Sequence, residues 1–129
     1  MANRTYTAAE LAAMTNAELD AVVARVVLGW RDCGGCDWWA SRLSYKYPDR
    51  RWSPTKYWTE CGIVIKRMLK RGLAVWIGDN TAKPSSHCRV TIMADKAISD
   101  ATTTNPCRAI CEASILATIQ WRAARKTSK

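Results

Sequence analysis

Aromatic and cationic side chains alternate most densely between Gly29 and Trp58. This stretch holds five of the seven tryptophans and three of the four tyrosines, interleaved with arginine and lysine. Aromatic rings stack on nucleobases with about 1–3 kcal/mol each, and neighbouring cations pair with phosphate or cover the ring face. We therefore predict a site for an anionic, nucleotide-type ligand in this region. The predicted ligand-binding residues are Trp38, Trp39, Tyr45, Tyr47, Arg50, Arg51, Trp52, Lys56 and Tyr57.

The core competes with this site for the aromatic residues, because the chain contains no phenylalanine. Tryptophan and tyrosine must therefore fill the large positions of the interior. Trp38, Trp39 and Trp52 are predicted to face solvent, since they lie outside the apolar patterns. Burial is predicted for the tryptophans on apolar stripes or strands, which are Trp30, Trp58, Trp76 and Trp121.

The pair Cys33 and Cys36, in the sequence CGGC, has the spacing of half a zinc site. A complete site needs two more ligands, which His87 with Cys88, or Cys107 with Cys111, would have to supply. The chain lacks the pattern of a secreted protein, so free thiols are expected instead of disulfides. We predict a tight turn between two thiols, with no metal and no cofactor. Cys61 and Cys111 fall in helical patterns and are predicted to act as small apolar residues.

Groups for acid–base catalysis are sparse. His87 is the single histidine, and the acidic residues are spread singly along the chain. His87 precedes Cys88, but adjacent residues of a strand point to opposite faces. The sequence contains neither a phosphate-cradling glycine loop nor a nucleophile elbow. We therefore predict that the protein is not an enzyme.

The charge of the chain favours anionic partners. Twenty Lys and Arg residues against eleven Asp and Glu give a net charge of +9 and a pI near 9.6. The bases cluster at 50–51, 66–71 and 122–129, and such a field attracts nucleotides or nucleic acid. Solubility and a basic tail at 122–129 would explain the same residues. No run of eighteen apolar residues and no secretory signal is present, so we expect a soluble, cytoplasmic protein without membrane contact.

The hydrophobic pattern predicts the elements that must position these residues. A capping box at Thr7 opens a short helix, and a second helix spans 15–28 with Thr15 or Asn16 as its cap. Ser53 and Pro54 are predicted to start a third helix, which ends at Arg71 and Gly72. Its apolar face is predicted to carry Trp58, Cys61, Gly62, Ile65, Met68 and Leu69.

The second half of the chain combines strands with one long helix. Strands are predicted at 73–77 and 88–94, paired as an antiparallel hairpin, with 95–105 as a loop or an irregular crossing. A helix then starts at Asn105 and Pro106, and it is apolar on nearly every face, as in a central or oligomer-forming helix. The predicted fold is α+β, with three main helices on a small, mainly antiparallel sheet. One domain covers 1–129, and a Trp-rich and basic insertion lies at 30–52.

Three segments resemble the phage ABA sandwich domain, a family of small phage proteins. They are ELDAVVARVVLGW at 18–30, WSPTKYWTECGIVIKRML at 52–69 and NPCRAICEASILA at 105–117. The resemblance implies a three-layer α+β domain and a phage origin, hence the host cytoplasm. It implies no activity and no catalytic residues, and the insertion at 31–51 departs from its pattern.

Three functional hypotheses follow. The first is a phage protein that sequesters an anionic nucleotide, as an anti-defence sponge for a cyclic nucleotide signal. The alternatives are a DNA- or RNA-binding accessory protein and an inhibitor that binds a host protein. A homo-oligomer, a dimer or higher, is predicted for all three, because a small sheet leaves open edges.

Overall fold

The computed structural model describes residues 5–29, 53–79, 88–94, 96–103 and 105–127. The predicted α+β class is confirmed, with helices packed on a three-stranded antiparallel sheet. The helices are α1 (Ala8–Ala13), α2 (Asn16–Val22, continued by a π-helical turn at Val23–Val27), α3 (Trp58–Lys70) and α4 (Pro106–Thr127). The strands are β1 (Ala74–Asp79), β2 (Cys88–Met93) and β3 (Ala97–Thr103).

The two N-terminal helices start where the caps predict. The Thr7 hydroxyl accepts a hydrogen bond from the Glu10 amide at 3.1 Å, and the Glu10 carboxylate accepts one from the Thr7 amide at 2.9 Å. Thr15, rather than Asn16, caps α2, and it exchanges the same pair of bonds with Glu18. Each box satisfies two backbone donors that a helix start leaves open.

The predicted start of α3 at Ser53 and Pro54 is wrong, because the helix begins at Trp58. The Ser53 carbonyl accepts bonds from the amides of Lys56 and Tyr57, which closes a turn ahead of the helix. The Ser53 hydroxyl donates to Asp20 at 3.0 Å, so a tertiary contact uses the group that would cap a helix. The end of α3 is as predicted, since Gly72 adopts a φ of 83° and the Leu73 amide donates back to the Met68 carbonyl.

The sheet has the order β1-β2-β3. The predicted hairpin of β1 and β2 is confirmed, but the predicted loop at 95–105 is wrong, since it contains β3. This segment is rich in Ser, Asp and Thr, which weakens its strand signal. Contacts with neighbouring elements hold it in place: Asp100 pairs with Arg89 of β2, and the Ser99 hydroxyl donates to the Ala113 carbonyl of α4 at 2.8 Å.

Helix α4 lies at the centre of the fold. It contacts β2 and β3 on one side and α1, α2 and α3 on others. Residues on most of its faces are buried, including Ala109, Ile110, Ala113, Ile115 and Ala117. The central position accounts for the apolar surface of this helix, and the predicted homo-oligomer stays a prediction. In the described ranges, no helix is long and apolar enough to cross a membrane.

Two predicted core tryptophans are exposed. Trp58 and Trp76 are 56% and 51% accessible, so the prediction of their burial is wrong. In α3 the buried stripe runs through Cys61, Val64 and Met68, which turns Trp58 and Leu69 toward solvent. Trp121 packs against the core with part of its surface open.

Candidate anion-binding surface

Most of the predicted ligand-binding residues lie outside the described residues, as do Trp30, Cys33, Cys36 and His87. The predicted residues outside are Trp38, Trp39, Tyr45, Tyr47, Arg50, Arg51 and Trp52. Lys56 and Tyr57 are described, and they precede the first turn of α3. The Lys56 side chain is exposed, with Nζ 5.3 Å from the centre of the Tyr57 ring. This contact is a single cation–aromatic pair at the N-terminal end of α3.

A larger group of cations gathers at the opposite end of α3. Two basic runs, one near the end of α3 and one near the end of α4, meet beside the last turn of α2. We call this group the helix-end basic surface. Its members are Lys66, Arg67, Lys70, Arg71, Arg122 and Arg125.

The end of α2 draws three of these arginines together. Its carbonyl groups have no partners within the helix, and they form the negative end of the helix dipole. Three successive carbonyls each accept a bond from one guanidinium: Arg122 Nη2 donates to Val26 (2.8 Å), Arg71 Nη2 to Val27 (2.7 Å) and Arg67 Nη1 to Leu28 (3.3 Å). The three arginines therefore cap α2 from neighbouring helices.

Arg71 of this group makes two further contacts. Its Nη1 donates to the Thr118 hydroxyl at 2.8 Å, and its guanidinium carbon lies 4.8 Å from the centre of the Trp121 ring. The Arg125 guanidinium lies 4.6 Å from the same ring. Trp121 thus holds two cations together by contact with its aromatic face.

The charges in this group are crowded. Burial, together with the positive charges of Arg122 and Arg67, lowers the pKa of Arg71 to about 10. Within the described ranges, no ion pair joins Arg67, Arg71 or Arg122 to a carboxylate. An anion placed here would therefore relieve repulsion between like charges.

A groove of about 720 Å³ opens beside the crowded arginines. Leu28, Ile63 and Leu69 provide apolar lining, and Lys66, Arg67 and Lys70 provide the charges. The volume falls within the range of roughly 300–1,000 Å³ that is typical of small-molecule sites. Apolar lining with a few convergent polar groups suits a ligand that has both a flat uncharged part and an anionic part.

Buried carboxylates and thiols lie elsewhere, around the turn before α3. Asp20 accepts bonds from the Thr55 amide and the Ser53 hydroxyl, both at 3.0 Å, and burial raises its pKa. Glu60 is fully buried and accepts a bond from the Ser53 amide at 2.5 Å. These carboxylates hold residues 53–55 against α2 and α3, which is a structural role.

Three buried thiols, those of Cys61, Cys107 and Cys111, come from α3 and α4. The predicted apolar role of Cys61 and Cys111 is confirmed, since both are free and fully buried. Burial raises the pKa of all three thiols, which keeps them protonated and unreactive. Among the described residues, no group of three or more potential ligands is arranged to hold a metal ion.

A scan against protein-family models and searches of the curated proteins and of the solved structures give no match. The function of the chain therefore has to be inferred from its own residues. The sequence does show the basic runs at 66–71 and 122–129 separately. What it lacks is any signal that the end of α2 brings the two runs together.

Proposed function

We propose that this protein captures an anionic, nucleotide-type ligand at the helix-end basic surface and holds it without chemical conversion. One observation carries the proposal. Five cations, Lys66, Arg67, Lys70, Arg71 and Arg122, gather beside the C-terminus of α2, which supplies roughly −0.5 elementary charge. Among the described residues, no carboxylate forms an ion pair with any of the five, so most of this positive charge is not balanced there and a bound anion would neutralise it.

The groove fits the two chemical parts of a nucleotide. Lys66 and Lys70 are exposed and lie one turn apart on α3, with about 5–6 Å between their Cβ atoms. Flexible ammonium groups at this spacing suit phosphate oxygens. Leu28, Ile63 and Leu69 would contact the uncharged base and sugar. The predicted aromatic contribution of 29–58 stays a prediction.

The biological setting is part of the same proposal. The resemblance to phage ABA sandwich proteins favours a role during infection, in the cytoplasm of the host. A protein that binds a nucleotide without converting it would act in that setting by removing the nucleotide from solution. We therefore extend the proposal to the sequestration of a cyclic nucleotide signal of the host's defence.

Isothermal titration against cyclic dinucleotides, cyclic trinucleotides and linear nucleotides tests the proposal. We expect one class to bind with fixed stoichiometry and to be recovered unchanged by chromatography. The double variant Lys66→Ala/Lys70→Ala should weaken its affinity at least about tenfold, since each lost charge-assisted contact contributes roughly 1.5–3 kcal/mol. Both lysines are exposed, so the variant should remain folded.

Lys56→Ala is the comparison variant for this titration. Lys56 is also exposed, but it belongs to the site predicted at 29–58 and precedes α3, about 20 Å from Lys70. Capture at the helix-end basic surface predicts that Lys56→Ala binds like the unmodified protein, whereas a loss confined to Lys56→Ala would place the ligand at the site predicted at 29–58. An equal loss of affinity in both variants would show that affinity follows the net charge of the protein and not a specific site. Absence of binding across the panel, or conversion of the ligand, would refute capture.

Direct binding of DNA or RNA is the second candidate, and the openness of the surface favours it. Lys66, Lys70 and Arg125 are exposed along two helices, as in a surface that follows a phosphate backbone. This version predicts a steep fall of affinity with salt. Removing Lys66 and Lys70 should reduce the slope of log K against log salt by about 2.

A further inference from the structure

The outer face of the sheet, which points away from α4, carries an exposed tryptophan. Val90 and Ile92 of β2 are buried on the inner face, so their neighbour Thr91 points outward. In register, Thr91 lies opposite Trp76 on β1 and opposite Asp100 on β3. A row across three strands therefore presents an indole ring, a hydroxyl and a carboxylate on the same open face.

The outer end of the Trp76 ring lies over Gly78, two residues further along the same strand. A Cβ atom at position 78 would come within 2.5 Å of ring atom Cη2 and 2.7 Å of Cζ2. Only glycine leaves room for the ring in this position. Glycine weakens a strand interior and often marks the close approach of another group. Because the side chain is 51% exposed, this arrangement presents aromatic surface to solvent.

An ion pair lies next to Gly78 in the strand register, on the same face as the ring. Arg89 is the register partner of Gly78, and its Nε donates to both carboxylate oxygens of Asp100, at 3.1 and 3.0 Å. Its Nη2 donates to Asp100 Oδ2 at 2.6 Å, and the two side chains are 50% and 42% exposed. The pair is neutral as a whole, and its guanidinium and carboxylate groups offer hydrogen-bond donors and acceptors at its edge. A ring stacked on Trp76 would find hydrogen-bonding groups beside it.

We propose that this face of the sheet binds single-stranded nucleic acid by stacking an unpaired base on Trp76. Aromatic side chains on an open sheet are a standard platform for single-stranded bases. The net charge of +9 attracts a polyanionic strand, whereas it gives no attraction for a neutral sugar ring. The proposal does not rest on ligand capture at the helix-end basic surface.

The size of the stacking effect favours a strand over a free nucleotide. Stacking one base contributes a factor of about 5 to 150 to affinity. A Kd of 1 mM already requires an association constant of about 1,000 M⁻¹. The stacking of one base falls short of this value, so stacking alone does not retain a free nucleotide. A strand adds phosphate contacts elsewhere on the basic protein, and Trp76 then supplies one stacking position along it.

The test is fluorescence anisotropy with fluorescein-labelled, single-stranded hexadeoxyadenylate in about 0.1 M salt. Trp76→Ala should raise Kd by about 5- to 150-fold, whereas Trp76→Phe keeps an aromatic plane and should retain most of the affinity. Gly78→Ala should also weaken binding, because the new methyl group displaces the ring and leaves Trp76 present. Trp58→Ala is the matched control, because it removes another half-exposed tryptophan, and it should bind normally.

Several results would overturn the proposal. They are absence of binding by the unmodified protein, undiminished binding by Trp76→Ala, and an equal loss in Trp58→Ala. Size-exclusion chromatography with light scattering adds a further criterion. If Trp76→Ala converts an oligomer to monomers, Trp76 covers a subunit interface and does not bind a base. Trp76→Phe and Gly78→Ala preserve the test if Trp76→Ala fails to fold.

Discussion

Replacing Arg108 by alanine should cost more stability than any other single truncation of an arginine in the described part of the chain. Arg108 lies in the first turn of α4, and its guanidinium reaches the corner between α1 and α2. Its Nε donates to Glu112 at 2.7 Å, Nη1 to Asn16 at 2.8 Å, and Nη2 to the carbonyls of Leu11 at 2.9 Å and Met14 at 2.8 Å. One side chain thus satisfies the end of α1, the start of α2 and a buried carboxylate.

The burial of this pair sets the magnitude. The Arg108 and Glu112 side chains are only 15% and 9% exposed. Removing one partner of a buried ion pair costs about 3–5 kcal/mol, because the other charge stays buried without compensation. Domains of this size are stable by about 5–15 kcal/mol, so Arg108→Ala should remove a large part of the folding free energy.

Urea unfolding followed by circular dichroism measures the effect. With a slope of about 2 kcal/mol per M, a loss of 3 kcal/mol lowers the midpoint by roughly 1.5 M. Arg108→Lys keeps the charge but not the fork of donors, so it should lose part of that amount. In Arg108→Ala/Glu112→Ala no buried charge is left alone, and the double variant should lose less than the sum of the single losses.

Arg89→Ala is the control that separates the effect of a short contact distance from the effect of burial. Its contact with Asp100 is shorter, at 2.6 Å, but the pair is about half exposed and solvent screens it. The midpoint should therefore hardly move. A loss below about 1 kcal/mol for Arg108→Ala, or strict additivity in the double variant, would refute the burial argument.

Three further predictions concern other buried groups. Burial raises the pKa of Asp20, so the folded protein takes up this proton at a higher pH than the unfolded chain. Lowering the pH from 7 toward 4 should therefore raise the unfolding free energy of the unmodified protein relative to Asp20→Asn, measured by urea titration at each pH. Arg71→Ala should lower the thermal midpoint more than Arg67→Ala, because Arg71 bonds Val27 and Thr118 whereas Arg67 makes one longer bond. Cys111→Ser should cost more than Cys111→Ala, by about 1–3 kcal/mol, because a buried hydroxyl replaces an apolar thiol; calorimetry compares them.

Local chemistry was sufficient to predict the helix boundaries that depend on it. The capping boxes at Thr7 and Thr15 and the glycine stop at Gly72 each satisfy backbone groups within a few residues. Asn105 likewise caps α4, accepting a bond from the Cys107 amide at 3.0 Å. Such signals are complete in the sequence, because the donor and the acceptor are close in the chain.

The wrong predictions involve partners that are distant in the chain. Serine is a common helix cap, but the Ser53 hydroxyl donates its bond to Asp20, which lies 33 residues earlier in the chain. Residues 97–103 lack a clear strand pattern, and pairing with β2 and the bond from Ser99 to α4 stabilise them. The burial of Trp58 and Trp76 was predicted from local apolar patterns, which do not show which side of an element the core occupies.

The candidate site also depends on partners that are distant in the chain, and the structural role of its arginines leaves donors for the anion that we propose. Each guanidinium has five N–H donors, and capping α2 uses one from Arg67, one from Arg122 and one from Arg71. Arg67 makes the longest of these bonds, at 3.3 Å, and it also lines the groove. An anion can therefore bind through the remaining donors while α2 stays capped. Because a bound anion also reduces the repulsion around Arg71, its binding should stabilise the end of α2 rather than compete with the capping of this helix.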